Sequence, residues 1–171
     1  MNRKSRQGLT RLEVATFGLL EGSMLTLGAI VAPQLFRRIP SRDKAGRIFG
    51  QILKTWFWLG LACLLVLFAT GISSLTRQKN QGRVILGGRV AVVAGMLGQI
   101  AAFRGVLARM DKIRAGLTAP IETYAADYGP RQEFNRLHQR STGLMKNLMG
   151  LGVVWLGLSL ALVARTAKKN S

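Results

Sequence analysis

Four long apolar runs separated by basic segments set the pattern of this chain. Positions 14–36, 55–75, 84–103 and 147–164 are nearly free of charge, and each is close to the ~20 residues that a helix needs to cross a hydrocarbon core of ~30 Å. The runs are continuous rather than alternating, so they predict helices and not barrel strands. The second carries no charge, the first carries Glu21, and the third spans only if Arg89 reaches an interface along its aliphatic stem. The prediction is an all-α fold: an integral membrane four-helix bundle in a single membrane domain over 1–171.

The polar segments add detail. Residues 37–54 form a basic connection in which Ser41, followed by Arg42 and Asp43, is placed to cap a short helix over 44–54. The link 76–83 is short, so the second and third helices form an antiparallel pair. The connection 104–146 is amphipathic: Val106, Met110, Ile113 and Leu117 recur at helical spacing, extending the third helix beyond the membrane until Pro120 interrupts it. A further helix is expected after Gly129-Pro130, with Phe134, Leu137 and Ser141 on one face. The extramembrane segment between the third and fourth spans is therefore partly helical.

Composition sharpens the membrane reading. Of 171 residues 49% are hydrophobic, yet the formal net charge is +18. The two properties are segregated, because a charge at the bilayer centre costs roughly 2.5–3.5 kcal/mol on insertion scales. So basic a chain raises nucleic-acid binding, but no aromatic-basic platform or zinc spacing accompanies the charge, and the bilayer with its anionic lipid headgroups is the expected partner, not nucleic acid. Arg3, Lys4, Arg6 and Arg11 before the first run resemble the start of a secretory signal. That run carries Glu13 and Glu21 and continues to Phe36, past a signal's apolar length of about 7–15 residues, and is read as an uncleaved span. The first and third connections hold fourteen Lys and Arg and the remaining segments eleven, so charge does not fix the orientation. A multi-pass protein of the cell membrane is expected. The lone Cys63, inside an apolar run, excludes an intrachain disulfide.

Candidate chemistry is sparse. No nucleophile elbow, phosphate loop or His-Glu zinc phrase occurs, so no enzyme, cofactor or metal site is expected. Gly143, Gly150, Gly157 and Ala164 fall seven apart on the fourth helix, and Ala94, Gly98 and Ala102 four apart on the third, letting another backbone approach closely, inside the bundle or between copies. Glu21 is the one acid inside a span; intramembrane acids often mark ion or proton routes, here with Gln99 and Ser23 as polar companions, but Glu21 lies near the start of the span and an ion pair with Arg89 is the structural alternative. His138, the sole histidine, opens a stripe with Ser141, Met145 and Met149. Imidazole and thioethers suit Cu(I), giving a metal- or haem-linked reading, whereas the structural reading has His138 and Ser141 hydrogen-bonding across the bundle. Glu122 and Asp127 are expected to be solvated. The leading function is a non-enzymatic bundle that organises partners, lipids or its own copies; the alternatives are a small transporter or ion pathway using Glu21 and a metal protein using His138.

Two phrases carry a family likeness: GAIVAPQLFRRIPSRDKAGRIFGQILKTWF over 28–57, with Ala32, Pro33, Phe36, Ala45, Gly46 and Phe49, and FNRLHQRSTGLMKNL over 134–148, with Phe134, His138 and Ser141. Together they resemble the transmembrane protein 205-like domain family, four-helix membrane proteins of unknown function. The resemblance implies the fold and the membrane location, and a contact zone among Pro33, Phe36, Phe49, His138 and Ser141, with Pro33 kinking or ending the first span. The chain departs from the family pattern where an Asn is expected about seven residues after the His. Met145 stands there, and Asn147 follows at nine, about 200° further round the helix.

Overall fold

A computed structural model describes residues 3–77 and 82–168, with side chains described over 11–77 and 82–165. The middle of the predicted 76–83 link, Lys169 and the side chains of Arg3, Lys4, Arg6 and Lys168 lie outside the described set. Among the described residues five α-helices carry the fold: α1 (Arg3–Thr26), α2 (Ala32–Arg38), α3 (Arg42–Arg77), α4 (Arg83–Ala115) and α5 (Gly129–Lys168). Among the described residues four stretches are long and apolar enough to cross a membrane, Arg11–Arg38, Arg42–Arg77, Arg83–Ala115 and Gly129–Arg165. The protein is, by these helices, an all-α multi-pass membrane protein.

Pro33 neither ends the first span nor breaks it. A five-residue π-helical turn, Leu27–Val31, joins α1 to α2, and the Ala32 N–H reaches back to the Leu27 carbonyl. Proline has no N–H to donate, and its ring collides with the carbonyl four residues earlier; one wider turn absorbs both effects, and Pro33 sits in the first turn of α2.

The expected short helix over 44–54 is instead the start of α3, continuous to Arg77. Ser41 does cap it, its Oγ accepting the Lys44 N–H at 3.2 Å. α4 stops before Pro120: Gly116 closes it, its N–H bonding the Lys112 and Ile113 carbonyls. A 3-10 turn over Ile121–Thr123 follows, and α5 opens at Gly129.

The main core draws on all four spans, with Leu20 and Met24 from α1, Leu64 from α3, Val93, Met96 and Ile100 from α4 and Leu148 from α5 almost wholly buried. A second cluster of Val106, Met110, Ile121, Phe134 and Leu137 ties the extensions of α4 and α5 together. The apolar periodicity of 104–117 thus buries a small core beyond the apolar run of α4.

Charges flank the apolar stretches of α4 and α5. Arg83 and Arg104 stand about 31 Å apart along α4, and Lys146 and Arg165 about 28 Å along α5, both matching a ~30 Å core. The Arg104 guanidinium lies over the rings of Phe57 and Trp58, 4.9 and 5.0 Å from their centroids, and Trp58 is exposed, as an interfacial aromatic is. The first and third connections share this end, called the second face; Arg83 and Arg165 mark the first.

Candidate functional site

Two polar assemblies stand out, one at the second face and one inside the bundle. The first is built on the N-terminus of α3. Asp43 is buried, and its carboxylate accepts from Arg47 Nε one turn along and from Arg114 Nε of α4, both at 2.9 Å. The Arg114 guanidinium also lies 4.6 Å from the Phe134 ring centroid, so one cation joins α3, α4 and α5. Gly46 makes room for it: a Cβ there would stand 2.7 Å from Arg114 Nη2. Ala45 beside it is fully buried.

Glu122 completes this assembly. Its carboxylate accepts from Ser41 Oγ at 2.9 Å and from the Asp43 N–H at 2.8 Å, capping α3 from a distant loop. The expectation of a merely solvated Glu122 is corrected: although exposed, it is bonded at both oxygens. Lys54 and Asp111 add a peripheral α3–α4 bridge at 2.5 Å. Tyr124 accepts the Ala119 N–H at 3.2 Å, stacks on Tyr128 and receives Arg131 on its carbonyl, which folds the loop onto α5.

The second assembly corrects the expected Glu21–Arg89 pair. Arg89 Nη2 bonds Glu13 Oε2 at 2.7 Å with both side chains below 10% exposed, and its guanidinium lies 4.5 Å from the Trp155 ring centroid. Phe17 stacks on the other partner, with 4.4 Å between its ring and that of Trp155. The reason is register. Helix α1 begins well before the apolar run, so Glu13 is already helical and level with Arg89, whereas Glu21 is two turns further in.

Glu21 rests instead against α5, where Gly152 leaves a notch: a Cβ there would overlap the Glu21 carboxyl. Its Oε1 is inaccessible and without a hydrogen-bond partner, as are Arg89 Nε and Gln99 Oε1. Ser23, the other expected companion, is committed: its hydroxyl donates to the Leu20 carbonyl and accepts from Trp56 Nε1, both at 2.8 Å.

The remaining expected site residues divide. Phe49 packs against the main core and Phe134 belongs to the second cluster. Ser141 is buried, but its hydroxyl donates to the His138 carbonyl of its own helix at 2.7 Å rather than across the bundle. His138, Phe36 and Asn147 are exposed, and Ala32 and Pro33 are half-buried. Met145 and Met149 face the core while His138 faces out, so the stripe does not gather, and among the described residues no three His, Cys, Asp or Glu side chains group for a metal.

The small-residue stripe also departs from its expected packing inside the bundle. A Cβ at Gly143, Gly150 or Gly157 would meet nothing within 4 Å, and Ala94, Gly98 and Ala102 are exposed on α4. Contact with α4 is made by other positions, Leu151 against Gly95 and Leu158 against Gly88. A seven-residue spacing fixes a stripe but not the direction it faces.

The residues the sequence did not single out are Glu13, Asp43, Arg114 and Glu122. Asp43 carried a signal, an acid in a first helical turn; Glu13 was set aside by its place before the apolar run, and nothing local marks Glu122 as a cap.

A family model described as a domain of unknown function, DUF4149, matches residues 15–116, more than half of the chain. The match covers the first three spans and stops at the residue that closes α4. No curated protein and no solved structure matches.

Proposed function

The chain belongs to the DUF4149 family, and from that premise we propose that it is a non-enzymatic membrane bundle whose role is to associate with other membrane helices, its own copies included. One observation carries the reading. Gly143, Gly150 and Gly157 form an outward stripe on α5, where a Cβ would meet nothing within 4 Å among the described residues. In lipid, small residues on an outer face favour helix association, because backbones approach closely and dispersion contacts accumulate without a hydrophobic driving force. The basic ends favour anionic headgroups as a second, less specific partner, and the cell membrane as the location. Likeness of the 134–148 phrase to transmembrane protein 205-like proteins supports a finer family placement and adds no activity.

The test replaces the stripe without touching the fold. Complexes recovered in mild detergent should fall at least ~10-fold in Gly150→Ile and in Gly157→Ile, while the melting temperature of the bundle stays unchanged, since neither position contacts the chain itself. Unchanged complexes in both variants would overturn the proposal.

A further inference from the structure

Arg104 is held by aromatic rings rather than by an acid. Phe57 and Trp58, consecutive on α3, stand edge to face at 81° with 5.3 Å between their centroids, and the guanidinium sits in that corner, 4.9 Å from one ring and 5.0 Å from the other. Rings fix the position of a guanidinium without accepting from the N–H groups in its plane. Among the described residues no oxygen takes those donors, and none takes the indole N–H of Trp58. Phe57 is buried and anchors the corner, whereas Trp58 and Arg104 are both exposed. Two sets of fixed, unused donors therefore open on one spot of the surface.

The nearest acids along the two helices are in use. Asp111, two turns beyond Arg104 on α4, bridges to Lys54, and Asp43 on α3 is buried between Arg47 and Arg114. Arg104 keeps an uncompensated charge. Toward the middle of the bundle the same surface turns apolar: Ala62 and Leu65 follow Trp58 at helical spacing on α3, Ala101 precedes Arg104 by one turn on α4, and all three are exposed. The charged corner thus heads an apolar strip about 10 Å long. An anion that is itself amphipathic matches both parts.

We infer that the corner of Arg104, Phe57 and Trp58 binds the phosphate of an anionic phospholipid whose acyl chain lies along the seam between α3 and α4. The guanidinium and the indole N–H donate to the phosphate oxygens, and the apolar strip takes the chain. A free phosphate would leave that strip bare, and a zwitterionic lipid brings its own cation to the phosphate. The inference rests on the reading of anionic headgroups as a partner of the basic ends and gives that partner one place; it is independent of the α5 stripe.

Native mass spectrometry of the full chain in mild detergent, titrated with dioleoyl phosphatidylglycerol, tests it. One lipid should bind ahead of the rest, and dioleoyl phosphatidylcholine should bind at least ~3-fold more weakly. Arg104→Gln should weaken that first lipid at least ~10-fold, the scale of a lost charge-assisted contact, and Trp58→Phe, which keeps a ring but removes the N–H, at least ~3-fold. Arg109→Gln removes an equal exposed charge with no ring beside it, and should change binding less than ~2-fold. Melting temperatures equal to wild type show that the bundle is intact; where Arg104→Gln does not fold, the contrast of Trp58→Phe with Arg109→Gln decides. Inorganic phosphate in large excess should not displace the lipid. Equal weakening by Arg109→Gln and by the corner variants would overturn the site and leave a face that holds lipid by charge alone. Displacement by phosphate would overturn the lipid as its ligand, and no preference for phosphatidylglycerol in wild type would overturn both the site and the headgroup reading.

Discussion

Arg89 and Glu13 form a buried ion pair across α4 and α1, 2.7 Å between Nη2 and Oε2, with the Trp155 ring over the guanidinium. Three of the four spans are thus tied by one arginine. A cation inside a membrane is tolerated only with a counter-charge and good geometry, and here the pair also fixes the register of α1.

Removing one partner should cost far more than removing both. Glu13→Gln leaves Arg89 uncompensated and should lower stability by about 3–5 kcal/mol, whereas Glu13→Gln with Arg89→Met should recover much of that loss. Glu21→Gln, by contrast, should be additive with Arg89→Met. Unfolding of these single and double variants in mixed micelles measures both couplings, and coupling of Arg89 to Glu21 in place of Glu13 would refute the register.

Filling the notch gives a second test. Gly152→Ala puts a methyl group where the Glu21 carboxyl lies and should destabilise by about 1–3 kcal/mol, as overpacking does. Adding Glu21→Ala should relieve most of that cost. Gly150→Ala, on the open side, should be neutral within ~0.5 kcal/mol. Equal effects at 150 and 152 would show that α5 is rotated from the orientation described.

At the second face, Glu122→Ala removes the cap that α3 borrows from the loop. The loss should be about 1 kcal/mol and local: amide exchange should quicken over 42–46 while the membrane core stays protected. Asp43→Ala should act more widely, because it strands Arg114 between α3 and α5 and leaves Gly46 facing an unpaired guanidinium. If exchange over 104–115 is no faster in Asp43→Ala than in wild type, Arg114 does not join the helices.

Much of the architecture was legible because its causes are local. Charge-free runs of about span length mark helices whatever surrounds them. The spacing of Val106 and Met110 likewise foretold that α4 continues past the apolar run with one face buried. Helix ends were less legible, since Pro33 reads as a break until the π-helical turn before it is seen. Rotation was not legible at all. Gly150 and Gly152 are two residues apart, yet one is open and the other filled by Glu21, and only the packing of α5 on α4 and α1 decides which. Partner choice failed for another reason: Glu13 stands before the apolar run, and only the early start of α1 shows that it is helical and level with Arg89.

The outward stripe of α5 is most directly tested by proximity in native membranes. A photoreactive side chain placed at Val154, beside the stripe and 50% exposed, is compared with one at Leu65 of α3, 52% exposed. Helix association through α5 predicts protein cross-links from position 154 that Gly150→Ile abolishes, with lipid adducts predominating at position 65. Lipid adducts alone at both positions, or equal protein cross-linking from both, would contradict it.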